Sequence, residues 1–126
     1  MKLDNFVHEM DEFFDEDGYP TEHALDMIAK WDWHHTDECF QFVRQMWQWN
    51  KMLWTQTDDG ENITYDISTG GWSGNESLVM ALRENHVVWM FTWVQSKRGG
   101  HHIFELPYKR QPSMVGKENE NTNINT

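Results

Sequence analysis

The sequence predicts an α+β fold: three N-terminal helices, then a ββαββ segment whose four-stranded, mainly antiparallel sheet packs against helices. Through the first 50 residues, apolar side chains recur every three or four positions, which is typical of amphipathic helices. Beyond that point they alternate with polar residues in short runs separated by Gly-containing turns, which indicates strands. Eight Trp, seven Phe and eight Met in 126 residues supply one core. We expect a single domain over residues 1–110 and a disordered tail over 111–126.

Helical periodicity defines three N-terminal segments. The first covers residues 3–16, the second 21–31 after a proline, and the third 37–49 with Thr36 as its N-cap. The first segment has the clearest apolar stripe, formed by Leu3, Phe6, Val7, Met10, Phe13 and Phe14.

The second half of the chain predicts four strands and one helix. Alternation indicates strands at 52–57, 62–68, 87–95 and 101–106, and the apolar spacing of 74–85 indicates a helix between the second and third strands. In the third strand, alternation would place large apolar side chains on both faces of the sheet. One of those faces would then be covered by a partner or a second copy, giving a possible homodimer through the sheet face, or by loops or the C-terminal segment.

Charge is distributed unevenly along the chain. The net charge is −11, and residues 1–40 hold twelve of the 21 acidic residues but two of the ten basic ones. Such a chain is repelled by nucleic acid and attracted to basic protein surfaces. We therefore expect no direct nucleic-acid binding, and a basic protein as partner. The predicted partner-binding face consists of Asp4, Glu9, Asp11, Glu12, Asp15, Glu16 and Asp17.

A Gly-rich loop precedes the predicted helix at 74–85. Glycines let backbone amides approach a ligand, and helix N-termini favour anions, so this loop is a candidate site for phosphate or a nucleotide-like anion. The alternative is a strand–helix turn in which Ser73 caps the helix and Trp72 packs as a lid. The candidate ligand residues are Ser68, Thr69, Gly70, Gly71, Trp72, Ser73, Gly74, Asn75 and Arg98.

The residues capable of catalysis or metal binding form no strong motif. The one cysteine, Cys39, lies on the buried stripe of its predicted helix, which indicates a structural thiol rather than a nucleophile. Two pairs of adjacent histidines occur, His34-His35 and His101-His102. The second pair would point to opposite faces of a strand, and neither pair has the spacing of a helical zinc site. We expect no enzymatic activity, no metal site and no cofactor.

The longest apolar run, residues 87–91, is far shorter than a membrane span, and the N-terminus lacks the apolar stretch of a secretory signal. A single cysteine also excludes an internal disulfide and fits a reducing compartment. The sequence therefore predicts a cytoplasmic protein that makes no membrane contact.

Three stretches carry a resemblance to a known group of proteins: 65–76 reads YDISTGGWSGNE, 98–105 reads RGGHHIFE, and 17–21 reads DGYPT. Together they resemble small, uncharacterised, acidic proteins carried by bacteriophages and prophages, over roughly residues 15–106. The resemblance implies a phage accessory protein in the cytoplasm of a bacterial host. It makes a nucleic-acid-handling or defence protein the expected target, bound and inhibited by the acidic face. The alternative function is a small-ligand module centred on loop 68–75.

Overall fold

The computed structural model describes residues 12–107, and within them the fold is α+β, as predicted. Five α-helices accompany a four-stranded sheet in this part of the chain. The predicted tail, 111–126, lies outside it. In chain order the elements are α1 (Glu22–Ala29), a 3-10 turn (Trp33–His35), α2 (Thr36–Met46), α3 (Asn50–Leu53), β1 (Trp54–Asp58), β2 (Asn62–Ser68), α4 (Ser73–Glu84), α5 (His86–Thr92), β3 (Trp93–Lys97) and β4 (His101–Pro107).

The first predicted helix ends earlier than its apolar stripe suggests. Residues 12 and 13 are helical, but Phe14 forms an antiparallel bridge with Pro20, so the prediction of helix at 14–16 is wrong. Backbone bonds from Asp15 N to Tyr19 O (2.8 Å) and from Gly18 N to Asp15 O (3.0 Å) close this loop. The remainder of the prediction, 3–11, lies outside the described residues.

Helix α2 differs from its prediction at both ends. Thr36 is the first helical residue rather than the N-cap, because its hydroxyl donates backwards to Trp33 O (2.5 Å). The helix ends at Met46 instead of 49, where the Asn50 side-chain amide donates to Arg44 O (2.9 Å) and takes the place of a further helical amide. The short helix α3 follows, so the first strand begins at Trp54 and the prediction of a strand from 52 is also wrong.

The third predicted strand is mostly a helix. Residues 86–92 form α5, in which the Asn85 side chain accepts from Val88 N (3.2 Å) and the Thr92 hydroxyl donates to Val88 O (2.7 Å). Only β3, from Trp93 onwards, is extended. Residues 87–92 therefore do not alternate between two sheet faces, and the prediction of large apolar side chains on both faces is wrong.

The sheet has the order β1-β2-β4-β3 and is antiparallel throughout. The second strand has the predicted bounds, 62–68, since its alternation is the most regular in the sequence. One sheet face packs on the helices and carries the core, where Phe40 of α2 stacks on Tyr65 of β2 at 4.3 Å and tilts against Phe104 of β4 at 5.2 Å. The opposite face, called the polar face below, carries Thr55, Thr57, Thr64, Asp66, Gln95, Lys97, His101, Ile103 and Glu105.

In the described part of the chain, every helix is too short or too polar to cross a membrane.

Candidate functional site

The described part of the predicted acidic face lies at a helix end and on the loop that follows it. Glu12, Asp15, Glu16 and Asp17 are all exposed. Asp15 also has a structural role, since its carboxylate accepts from the backbone N–H groups of Asp17 and Tyr19 at 2.9 Å each and so fixes the turn after the helix. The remaining predicted members, Asp4, Glu9 and Asp11, lie outside the described residues.

A second group of carboxylates lines a cleft that sequence reasoning missed. Glu22 and Asp26 of α1 and Glu84 of α4 surround an open space of about 340 Å³ where the two helices pack. Its remaining lining is apolar, from Leu25 and Ala29. We call this the acidic cleft. The four-residue spacing of the two α1 acids is a visible sequence signal, but the approach of Glu84 depends on tertiary packing.

One carboxylate of the acidic cleft has an internal cation. Lys30 Nζ lies 3.2 Å from Asp26 Oδ1, and both side chains are largely exposed. An exposed pair of this kind contributes little to stability and exchanges readily with water or another cation. The apolar floor adds a feature that a simple acidic surface lacks. It allows the methylene stem of a lysine or arginine to lie on Leu25 and Ala29 while the charged head meets the carboxylates.

The Gly-rich loop is a structural junction held by Asn75. This side chain is fully buried in the first turn of α4. Its oxygen accepts from Gln48 N (2.9 Å), and its amide donates to Gln48 O (3.3 Å) and Thr69 O (3.2 Å). The same loop is tied to α2 by Trp47, whose ring N–H donates to Ser68 O (2.9 Å). Asn75 thereby links the segment after α2 to the segment after β2.

Three consecutive backbone amides of this loop are engaged within the protein. Gly70 N donates to the Ser68 hydroxyl (3.3 Å), Gly71 N to the Thr69 hydroxyl (3.2 Å) and Trp72 N to Thr69 O (3.1 Å). An anion bound at these amides would have to replace existing bonds, and the Thr69 hydroxyl also lies 3.4 Å from the Glu76 carboxylate. This geometry weighs against the anion-binding alternative.

The turn between β3 and β4 approaches the loop. Thr69 N donates to Gly100 O (3.0 Å), and a Cβ at Gly100 would overlap the Thr69 hydroxyl. Arg98, the predicted cation of the site, is exposed.

The predicted capping role of Ser73 is wrong. Ser73 is exposed and is the first residue of α4, while Trp72 occupies the N-cap position without a side-chain bond. Trp72 instead covers the loop: its ring would overlap a Cβ at Gly74 and lies 4.8 Å from the Tyr19 ring.

Cys39 and Tyr65 carry ionisable side chains, and both are buried in the core. Cys39 is fully buried, and this burial raises the pKa of its thiol to about 12. The Tyr65 hydroxyl is directed inward and donates to Asp37 (2.6 Å). Burial, with Asp37 as the second cause, raises the pKa of Tyr65 well above its usual value.

The second histidine pair separates as strand geometry requires. His101 Nε2 lies 2.5 Å from Asp66 on the polar face, whereas His102 Nδ1 lies 2.7 Å from the Ser96 hydroxyl. The Trp93 ring N–H donates to the same hydroxyl (2.9 Å). Burial, followed by the charges of His101 and Arg83, lowers the pKa of His102. Among residues 12–107, no group of three or more His, Cys, Asp or Glu side chains is arranged to hold a metal ion.

Comparisons with protein-family models, with curated proteins and with solved structures each gave no match.

Proposed function

We propose that this protein is a non-enzymatic binding protein that presents carboxylates to a basic protein of a bacterial host. Following the resemblance to phage proteins, the proposed target is a nucleic-acid-handling or defence protein, and the proposed consequence is its inhibition in the host cytoplasm. The acidic cleft is the observation that carries this proposal, because it combines three carboxylates with an apolar floor at an open surface.

The charge balance of the described surface supports the same partner class. Exposed acids occur within residues 12–17 and again in α1, where Glu22 and Asp26 border the acidic cleft. A surface of one sign raises the association rate with a basic partner, and added salt reduces that gain. Surfaces that normally bind nucleic acid are basic, so an acidic protein of this kind competes for them.

The internal placement of the reactive groups supports a binding role rather than a catalytic one. The Cys39 thiol is buried and has a raised pKa, which makes it a poor nucleophile. In the Gly-rich loop, the amides of Gly70, Gly71 and Trp72 donate to groups of the loop itself.

The test is a pull-down from bacterial lysate with the full chain at low and high salt, followed by association kinetics on the recovered protein. The cleft variant carries Glu22→Gln, Asp26→Asn and Glu84→Gln. The matched control removes three charges from the β1–β2 hairpin through Asp58→Asn, Asp59→Asn and Glu61→Gln.

We expect a basic protein to be recovered at low salt and lost at high salt. The cleft variant should slow its association about tenfold, with a flatter salt dependence, and the hairpin control should change the rate by no more than about twofold. Failure to recover any basic protein, or an equal effect of both variants, would contradict the proposal.

A further inference from the structure

Four large apolar side chains are exposed on β3 and on the helix that precedes it. Among residues 12–107, strand β3 pairs with β4 alone, so its other side is an open edge in this part of the chain. Trp93 and Val94 of this strand are 43% and 47% exposed, and Val87 and Met90 of the preceding helix α5 are 50% and 83% exposed. Val87 and Met90, together with Phe91, also line an open depression of about 270 Å³. We call these four exposed side chains and the β3 backbone the β3-edge surface.

The segment that forms the β3-edge surface contains no acidic residue. No acidic residue occurs between Glu84 and Glu105, although the chain carries a net charge of −11. The same stretch contains two basic residues, Lys97 and Arg98. A like-charged molecule can therefore approach this surface without bringing carboxylates together.

We propose that two copies of this chain associate through the β3-edge surface, with their β3 strands paired antiparallel about a two-fold axis. The pairing extends each four-stranded sheet into one of eight strands, and it gives the open backbone groups partners. It also buries the exposed side chains of both α5 helices against each other. This inference is independent of the acidic cleft, which lies between α1 and α4.

Charge complementarity favours a second copy as the occupant. Lys97 and Glu105 lie on the polar face, at opposite ends of the β3–β4 pair, because Lys97 is opposite His101 and Trp93 is opposite Phe104. Antiparallel pairing brings the Lys97 end of one copy beside the Glu105 end of the other. The two residues are then two strand spacings apart, about 10 Å between backbones, which their side chains span. Symmetry repeats the ion pair on the other side.

A second acid-free stretch supplies an internal control. Residues 39–57 also lack acids and present an apolar depression lined by Trp49, Met52 and Leu53. This surface borders β1, the other outer strand of the sheet, which carries no basic residue. Pairing of two β1 strands would therefore lack an ion pair like that of Lys97 with Glu105. Met52 is 81% exposed, nearly the same as Met90, so glutamate at either position adds the same charge to an equally open site.

The experiment measures the mass of the full chain in solution by size-exclusion chromatography with light scattering at about 100 μM, where even weakly specific dimers are populated. We expect twice the single-chain mass of 15.1 kDa. Met90→Glu should give the single-chain mass, while Met52→Glu should keep the double mass. Lys97→Glu should weaken the dimer at least tenfold, and Lys97→Glu combined with Glu105→Lys should restore it.

A single-chain mass for the parent protein at that concentration would overturn the proposal. In that case Lys97 and the irregular pairing between Trp93 and Gln95 serve to prevent the β3 edge from pairing with another strand. Dissociation by Met52→Glu but not by Met90→Glu would also overturn it. Circular dichroism of each variant distinguishes loss of the dimer from loss of the fold.

Discussion

Replacing Asn75 by alanine tests whether the Gly-rich loop is a structural junction. The substitution removes three hydrogen bonds in a fully buried position and leaves Gln48 N–H, Gln48 O and Thr69 O without these partners. Each of these three bonds contributes about 1 kcal/mol, so we expect a loss of about 3 kcal/mol in the free energy of unfolding. For a chain of this length, that corresponds to a fall of roughly 10 °C in Tm.

Ser73→Ala is the matched control, two residues earlier in the same helix. Its side chain is exposed and makes no cap bond, so its removal should cost less than about 0.5 kcal/mol. Both variants are measured by urea unfolding followed by tryptophan fluorescence. The reasoning is refuted if Asn75→Ala costs less than about 1 kcal/mol, or if Ser73→Ala costs as much as a lost helix cap, about 1 kcal/mol.

Three further outcomes follow from the core and the turns. Gly100→Ala should cost at least about 2 kcal/mol of stability, because the added Cβ overlaps Thr69. Gly99 has a similar left-handed backbone but lies in open space, so Gly99→Ala should cost only the backbone strain of about 1 kcal/mol. Thermal unfolding compares the two variants, and equal losses would contradict the overlap. The pKa of Tyr65 is raised in the folded protein, so its neutral hydroxyl contributes its full stabilisation below about pH 10, and this contribution falls at higher pH. Tyr65→Phe should therefore lessen the loss of stability in unfolding curves taken from about pH 8 to 11. The Cys39 thiol should react with a thiol reagent only after unfolding, and rapid labelling of the native protein would contradict its burial.

Regular alternation made β2 predictable. In 62–68 each second residue is apolar, and the structure buries Tyr65 and Ile67 on the helix-facing side. The periodicity of α1 and α4 was similarly informative, with bounds within two residues of the prediction.

The segment 86–92 shows why local pattern fails elsewhere. Its β-branched and aromatic residues favour a strand, but the Asn85 side-chain amide donates to Ile28 O and Trp31 O at 3.0 Å each while its oxygen caps α5. These bonds join residues more than 50 positions apart, so no local window of the sequence contains them. Tertiary contacts override the intrinsic strand preference at this point.

For the candidate site too, some features are predictable from the sequence and others are not. The concentration of acids in the N-terminal third is readable from the sequence, and so is the turn chemistry of the Gly-rich loop. The acidic cleft is not readable, because Glu84 joins Glu22 and Asp26 only when α4 packs on α1. Equally hidden is the engagement of the loop amides by Thr69, a residue with no distinctive sequence pattern.

The most direct test of the central proposal is a titration of the isotopically labelled protein with an oligolysine peptide, followed residue by residue through NMR chemical shifts. The proposal predicts that the largest shifts occur around Glu22, Asp26 and Glu84, that they weaken as salt is added, and that Gly70 and Gly71 stay unperturbed. Equal shifts over all exposed acids, or the largest shifts at the Gly-rich loop, would contradict the assignment of the acidic cleft as the binding site.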